Sequence, residues 1–168
     1  MRGSGTYALV IFLGSRIHLR IGGLGIHSFP PSYYVYVGSA LGGLPSRLKH
    51  HLKPEKRLHW HIDYFLRQAK LAQMWYTLGQ DRLECIWNEI ISNLPGATSF
   101  IRGFGASDCQ CYSHLTYFAK IPSFGLFKQK LWSNNLPQAH RVNNPEDCTR
   151  FNSYLNANSL LAKEQVFA

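Results

Sequence analysis

The sequence predicts an α+β domain: a small antiparallel central sheet flanked by helices, followed by a C-terminal extension. Three observations lead there. Between Tyr7 and Val37, apolar or alternating runs are joined by glycine- and proline-rich connections too short for a crossover helix, so neighbouring strands run antiparallel. Between Leu44 and Leu94, three stretches place apolar residues at helical spacing. After Lys120 periodicity fades, and residues 121–168 hold seven asparagines. The domain is therefore set at residues 1–120, and residues 121–168 form an extension that packs partly on it.

Taken in order, Met1 to Ser4 reads as a disordered start, and Tyr7 to Leu13 as an apolar strand buried on both faces. Gly14-Ser15 turns the chain. Arg16 to Ile21 alternates, with Ile17, Leu19 and Ile21 inward and Arg16, His18 and Arg20 outward. Glycines at 22, 23 and 25 make the next turn, and Pro30-Pro31 precedes a strand from Tyr33 to Val37. A helix follows from about Pro45 to Leu52, with Pro in its first turn and Leu44, Leu48 and Leu52 as its buried stripe. After the charged loop Lys53–Arg57, a second helix is expected from Trp60 to Lys70 on Ile62, Phe65, Leu66 and Ala69. Gln73 to Leu78 reads as a strand. Asp81 to Asn93 carries the strongest helical pattern, on Leu83, Ile86, Trp87, Ile90 and Leu94, and Pro95-Gly96 ends it. Beyond the Gly103-Phe104-Gly105 loop, His114 to Phe118 is the last expected strand.

A hydrophobic content of 45% with 14% aromatic residues points to a folded globule rather than a disordered chain. Lys and Arg number 18 against nine acidic residues, a net charge of +9, so the partner expected is a polyanion: DNA first, with RNA not excluded. The longest apolar run, Ala8 to Leu13, falls far short of the ~20 residues a membrane helix needs, so no membrane association is expected. No secretory pattern opens the chain, and Cys85, Cys109, Cys111 and Cys148 make no disulfide framework for this length. A reducing, cytoplasmic location follows as the expectation.

Chemistry concentrates around Tyr34–Arg47, where a strand ends at Gly38, turns through Gly42-Gly43 and delivers Arg47 into a helix, with His51 one turn on. Tyr34 and Tyr36 share one face of that strand. Between Arg47 and Lys70 lie seven Lys or Arg residues against Glu55 and Asp63, interleaved with His50, His51, His59, His61 and the aromatics Trp60, Tyr64 and Phe65. Lys49, Lys53, Lys56, Arg57, His59 and His61 are the candidate track for a phosphate backbone; the competing reading is a solvated charged face. Glu84 flanks an apolar stripe near a helix start, where Asp81-x-x-Glu84 also fits a capping box with Asp81 as N-cap. In His59-x-His61-x-Asp63, only His59 and Asp63 share a helical face, which allows a pair but not a three-ligand cluster. Cys85 with Cys109-x-Cys111-x-x-His114 offers zinc-type donors, but the C-x-C spacing is tighter than the usual C-x2-C, and the thiols are read as buried and free rather than as a zinc site. Phosphate-loop, dinucleotide and G-x-S-x-G signatures are absent.

Gly5-Thr6-Tyr7, then Tyr36-Val37-Gly38, then Arg47, then Glu84 occur in the order that resembles the GIY-YIG nucleases. Tyr34–Gly43, His59-Trp60-His61-Ile62-Asp63-Tyr64 and the Gly103–His114 segment with its Ser-Asp-Cys-x-Cys-x-Ser-His resemble more narrowly the Uri-type branch, over about residues 5–120. The resemblance implies a small sheet that presents two tyrosines, an arginine and a metal-binding glutamate to one scissile phosphate. Carried over by motif, these are Tyr7, Tyr36, Arg47 and Glu84, and Glu84 then becomes the ligand of one Mg²⁺ or Mn²⁺ rather than a cap. Thr6 replaces the isoleucine of the family name. For the Lys or His that other members place between the tyrosines, His18 and His27 both stand as candidates, and Asn88 or Ser107-Asp108 could stand in for a late asparagine.

The implied reaction is metal-dependent endonucleolytic hydrolysis of DNA, with repair as its setting. Glu84 would hold the hydrated cation and Arg47 would neutralise the phosphate. Tyr7 would act as base, its ordinary pKa near 10 lowered by the cation and Arg47. Tyr36 would position water or phosphate, and His51 would assist the leaving group. The alternative is a non-catalytic nucleic-acid-binding module on the same fold.

Overall fold

The computed structural model describes residues 3–145. Met1 and residue 2 of the expected disordered start lie outside the described residues, as do residues 146–168 of the extension. The protein is α+β, built on a six-stranded antiparallel sheet. Its strands are β1 (Gly5–Leu13), β4 (Ser32–Ala40), β5 (Lys70–Leu78), β6 (Ala97–Ser99), β7 (Leu115–Phe118) and β8 (His140–Asn143), in the order β6-β7-β4-β1-β5-β8. A separate hairpin of β2 (Ile17–Arg20) and β3 (Ile26–Phe29) is closed by a single 3-10 turn at Gly22–Leu24. The helices are α1 (Leu44–Leu52), α2 (His61–Leu66), α3 (Glu84–Ser92) and α4 (Phe124–Ser133). Among the described residues, no helix is long and apolar enough to cross a membrane.

β1 is apolar on both faces because both faces are covered. On one side Tyr7, Leu9 and Ile11 join Leu44 and Leu48 of α1, Ile62 and Phe65 of α2 and Phe29 of the hairpin. On the other, Ala8 and Val10 join Trp75 of β5, Trp87 and Ile91 of α3, and Phe127 and Leu131 of α4. Trp75 stacks on Phe127 at 5.0 Å between centroids, and Trp87 meets the same ring edge-on at 4.9 Å. Such pairs contribute ~0.5–1.5 kcal/mol each beyond the area they bury.

Several elements differ from the sequence expectation, each for a packing reason. The alternating run at Ile17 pairs with β3 in the hairpin rather than joining the central sheet, so Ile17 and Leu19 are only half-buried. α2 stops at Leu66, because β5 begins at Lys70 to pair along almost the whole nine-residue length of β1. Residues 121–143 complete the fold: α4, capped by the Ser123 hydroxyl, lays Phe127 and Leu131 on the sheet, and β8 pairs with β5 from Gln73 to Tyr76. The Asp81-x-x-Glu84 box does not form. Leu83 is the N-cap of α3 and Glu84 its first residue, and the Leu83 N–H is taken by the Thr6 hydroxyl from β1.

Candidate active site

In the β1–β4 ladder, Gly38 lies opposite Tyr7 and Tyr36 opposite Leu9, so the two tyrosines project from one face as diagonal neighbours, ring centroids 6.4 Å apart. Two glycines shape their beds. A Cβ at Gly38 would come within 2.7 Å of the Tyr7 hydroxyl, and one at Gly105 (φ +65°) within 2.7 Å of the Tyr36 ring.

Helix α1 brings two side chains to this face, one turn apart. Arg47 lies over the Trp60 ring, its guanidinium carbon 4.0 Å from the centroid, a cation–π contact that fixes a flexible side chain. His51 is buried, with Nε2 2.8 Å from the Tyr7 hydroxyl and Nδ1 3.6 Å from Asp63 Oδ1. That second separation is long for a hydrogen bond but short enough for the carboxylate charge to act. Asp63 is the hub: Oδ2 accepts the backbone N–H of His59 and of Trp60, and Oδ1 faces His50 Nε2 at 3.1 Å.

The electrostatics of this chain follow from burial and these partners. Burial raises the Tyr7 phenol to about 12, only partly opposed by the charge of Arg47 and a hydrogen bond with it. Burial likewise pushes Tyr36 well above its ordinary value. His51 is lowered to about 4 by burial, against the pull of Asp63. For Asp63, burial works upward, but nearby His51 and the hydrogen bonds from Trp60, His59 and His50 outweigh it and hold the carboxyl well below the usual range. A neutral His51 with its proton on Nδ1 toward the anionic Asp63 leaves Nε2 free to accept from Tyr7.

Glu84 arrives from the opposite side of the sheet, at the N-terminus of α3, where the helix dipole favours a carboxylate. The Ser39 hydroxyl at the end of β4 donates to Glu84 Oε2, and Ser39 in turn lies 3.3 Å from the Thr6 hydroxyl. Arg82 Nε stands 3.3 Å from Glu84 Oε1, and the same guanidinium is 3.7 Å from Asp108.

These parts surround one cleft of about 340 Å³, lined by Tyr36, Gly38, Ser39, Arg47, His59, Trp60, His61, Arg82, Glu84, Ser107, Asp108 and His114. Of the expected site residues, Tyr36, Arg47, Glu84, His59 and His61 line it. Tyr7 and His51 lie beneath, both buried. Without a cation, burial raises the Tyr7 phenol, and His51 Nε2 lies against the Tyr7 hydroxyl. Lys49, Lys53 and Arg57 are exposed and do not line the cleft, whereas Lys56 donates to the His51 carbonyl and burial lowers its pKa. Asp63 takes the backbone N–H of His59, not its imidazole, and is turned toward α1, so no His59–His61–Asp63 cluster forms. His61 Nδ1 accepts the Gly105 N–H at 3.0 Å, which leaves the proton on Nε2. Neither His18 nor His27 lines the cleft. Asn88 is buried on the Ser113 carbonyl, whereas Ser107 and Asp108 do line it.

A hard divalent cation needs carboxylate oxygen and room for its own waters. Glu84 and Asp108 are the carboxylates that the cleft offers for such an ion, with the Arg82 guanidinium standing between them. Sequence reasoning missed Ser39, Arg82 and the Thr6 hydroxyl; Arg82, a base between two acids, was the one with a visible signal. The sequence grouped Cys85, Cys109, Cys111 and His114 as zinc-type donors without expecting a zinc site; their ligand atoms all lie within 4.8 Å of one another.

No curated protein and no solved structure gives a significant match to the chain. Residues 6–132 match the family described as "Domain of unknown function DUF123". That match spans β1 through most of α4 and every residue lining the cleft, and on its extent the chain belongs to the DUF123 family.

Proposed function

We propose that the protein is a metal-dependent endonuclease of the GIY-YIG type that hydrolyses DNA phosphodiester bonds, with DNA repair as its setting. The observation that carries this reading is the convergence of Tyr36, Arg47 and Glu84 on one cleft, above the buried chain Tyr7–His51–Asp63. Arg47, held on Trp60, takes the non-bridging oxygens of the scissile phosphate. Tyr36 stays protonated and donates to the phosphate or the attacking water, and His61 donates from Nε2. Tyr7, kept protonated by burial, links Arg47 to His51: its hydroxyl donates to Nε2, and Asp63 on the far side of the ring orients the imidazole, so the buried chain holds the floor of the cleft in place. A Mg²⁺ or Mn²⁺ held by Glu84 supplies charge neutralisation at the phosphate and a more acidic water. The Arg82–Glu84 ion pair favours the second reading, a non-catalytic DNA-binding module, because it already neutralises the carboxylate.

Labelled duplex, single-stranded, flap and abasic DNA, with RNA alongside, incubated with and without Mg²⁺ or Mn²⁺, separate the two. Cation-dependent cleavage of a DNA substrate is the expected result. Binding to several substrates with cleavage of none overturns the nuclease reading. Replacing exposed Lys49, Lys53 and Arg57 together by Gln should reduce the slope of log affinity against log salt by ~0.9 for each phosphate these side chains neutralise. An unchanged slope would place the DNA on another face. Lys56→Gln, by contrast, should cost stability, because the His51 carbonyl would no longer receive the ammonium hydrogen bond.

A further inference from the structure

The segment from Phe100 to His114 forms one wall of the cleft with neither helix nor strand in it. A connection of that length inside a compact domain calls for something to hold it. Full apolar burial there is limited to Phe104 and Ala106; Phe100 and Ile101 at its start are half-buried against the core, and Tyr112 is exposed. What the segment does contribute is Cys109, Cys111 and His114, brought against Cys85 in the first turn of α3.

We propose that Cys85, Cys109, Cys111 and His114 bind one structural zinc ion as a closed tetrahedral Cys3His site, and that this ion fastens the 100–114 segment to the N-terminus of α3. The geometry is that of such a site. With Zn–S of about 2.3 Å and Zn–N of about 2.0–2.1 Å, tetrahedral angles place sulfur and nitrogen about 3.6 Å apart. Here His114 Nε2 lies 3.4 Å from Cys109 Sγ and 3.9 Å from Cys85 Sγ, and all four donors fit within 4.8 Å. The fold supplies what the C-x-C spacing lacked: Cys85 reaches in from α3, far away in the chain, and Cys109 and Cys111 close from the loop. Three thiols and an imidazole are soft donors that select zinc over magnesium, so this ion is distinct in kind from one held by Glu84.

The position of the ion gives it a consequence for the cleft. Cys85 follows Glu84 directly, and Cys109 follows Asp108. His114 lines the cleft itself, accepts the Val37 N–H of β4 through its carbonyl and donates its own N–H to Phe104. One ion therefore ties together α3, β4 and the loop around the two cleft carboxylates. That these carboxylates serve catalysis rests on the nuclease reading; the zinc site itself does not.

The full chain, purified under reducing conditions without chelator, should carry about one zinc per chain by elemental analysis. Exchanged for Co²⁺, it should show the intense visible bands of tetrahedral cobalt and thiolate-to-cobalt charge transfer in the near ultraviolet. Cys109→Ser and Cys85→Ser should lose most of the metal, while Cys148→Ser and Glu84→Ala should keep it. Cys111→His retains a donor and should keep cobalt with weaker charge transfer, which tests the ligand set in a protein that still folds. A wild-type chain that takes up no zinc when it is offered, that gives an octahedral cobalt spectrum, or that isolates with a disulfide among these cysteines overturns the proposal. None of these readouts uses cleavage. Zinc bound in a protein that cleaves no DNA would sink the nuclease reading alone, and failure to take up zinc, in a protein that cleaves DNA, would sink this one alone.

Discussion

Glu84→Ala should lower DNA cleavage by roughly three orders of magnitude while leaving DNA affinity nearly unchanged. Several kcal/mol of transition-state stabilisation depend on a cation at a phosphoryl centre, and each ~1.4 kcal/mol is tenfold in rate. Affinity rests on basic side chains that the substitution does not touch. A purely structural Glu84 gives a different pattern: the carboxylate at the start of α3, held by Ser39, would contribute only ~0.3–1 kcal/mol through the helix dipole. Activity would then persist below the melting point, and such a result would remove Glu84 as the metal ligand. Ser39→Ala gives the intermediate case, with Glu84 present but released from the hydroxyl that aims it. Its cleavage should fall less and recover as Mg²⁺ is raised. Cleavage rates across a Mg²⁺ titration, with the thermal midpoint of each variant, check both expectations.

Asp63→Ala should be the most destabilising single change at the site, by about 3–5 kcal/mol, because it strands buried partners rather than merely removing a charge. Two backbone N–H groups lose their acceptor, His50 loses its partner, and His51 loses the carboxylate it faces. For a chain of this size, that is a fall in thermal midpoint of roughly 10 °C. The pH profile carries the sign. His51 is lowered to about 4 from 6.5, so the unfolded chain takes up a proton first, and stability declines as pH falls from 6.5 toward 4, by about 3 kcal/mol in all. Asp63 is also depressed, so its contribution is complete above the ordinary carboxylate range and fades only below it. Both effects weaken the fold in acid. His51→Gln should flatten the upper part of that decline, seen in denaturant midpoints between pH 4 and 7. An unchanged profile would mean that His51 is free to take up a proton in the native state.

The sheet was largely legible because its central strand announces itself. Tyr7–Leu13 is apolar at every position, a pattern that signals burial on both faces and is met at every residue but Phe12, and the helices that cover it have clean stripes such as Leu44-Leu48 and Trp87-Ile91. Short elements set by their partners were not legible. β6 has three residues and exists because β7 offers it an edge, and β8 sits in a stretch with no apolar alternation. At the site, motif order placed Tyr36, Arg47 and Glu84 on one cleft, but could not tell which tyrosine would line it. Nor could spacing show that Asp63 turns toward α1, because its capping bonds to His59 and Trp60 fix that direction locally and the α1 histidines meet it from elsewhere in the chain. The Thr6–Ser39–Glu84 line is invisible for the same reason: three residues on three elements, joined only by the fold.

That dispersal has a bearing on how the chain comes to work at all. Thr6, Ser39, Arg47, Glu84 and His114 span more than a hundred residues, and each stands on a different element or loop. During synthesis from the N-terminus, β1 and β4 can pair and α1 can dock while Glu84 is still unmade, and the wall ending at His114 emerges last. No early fragment therefore carries a working arrangement of these side chains. The cleft is assembled only on completion of the fold, and on the nuclease reading a chain stalled, truncated or unfolded before residue 114 should cleave nothing.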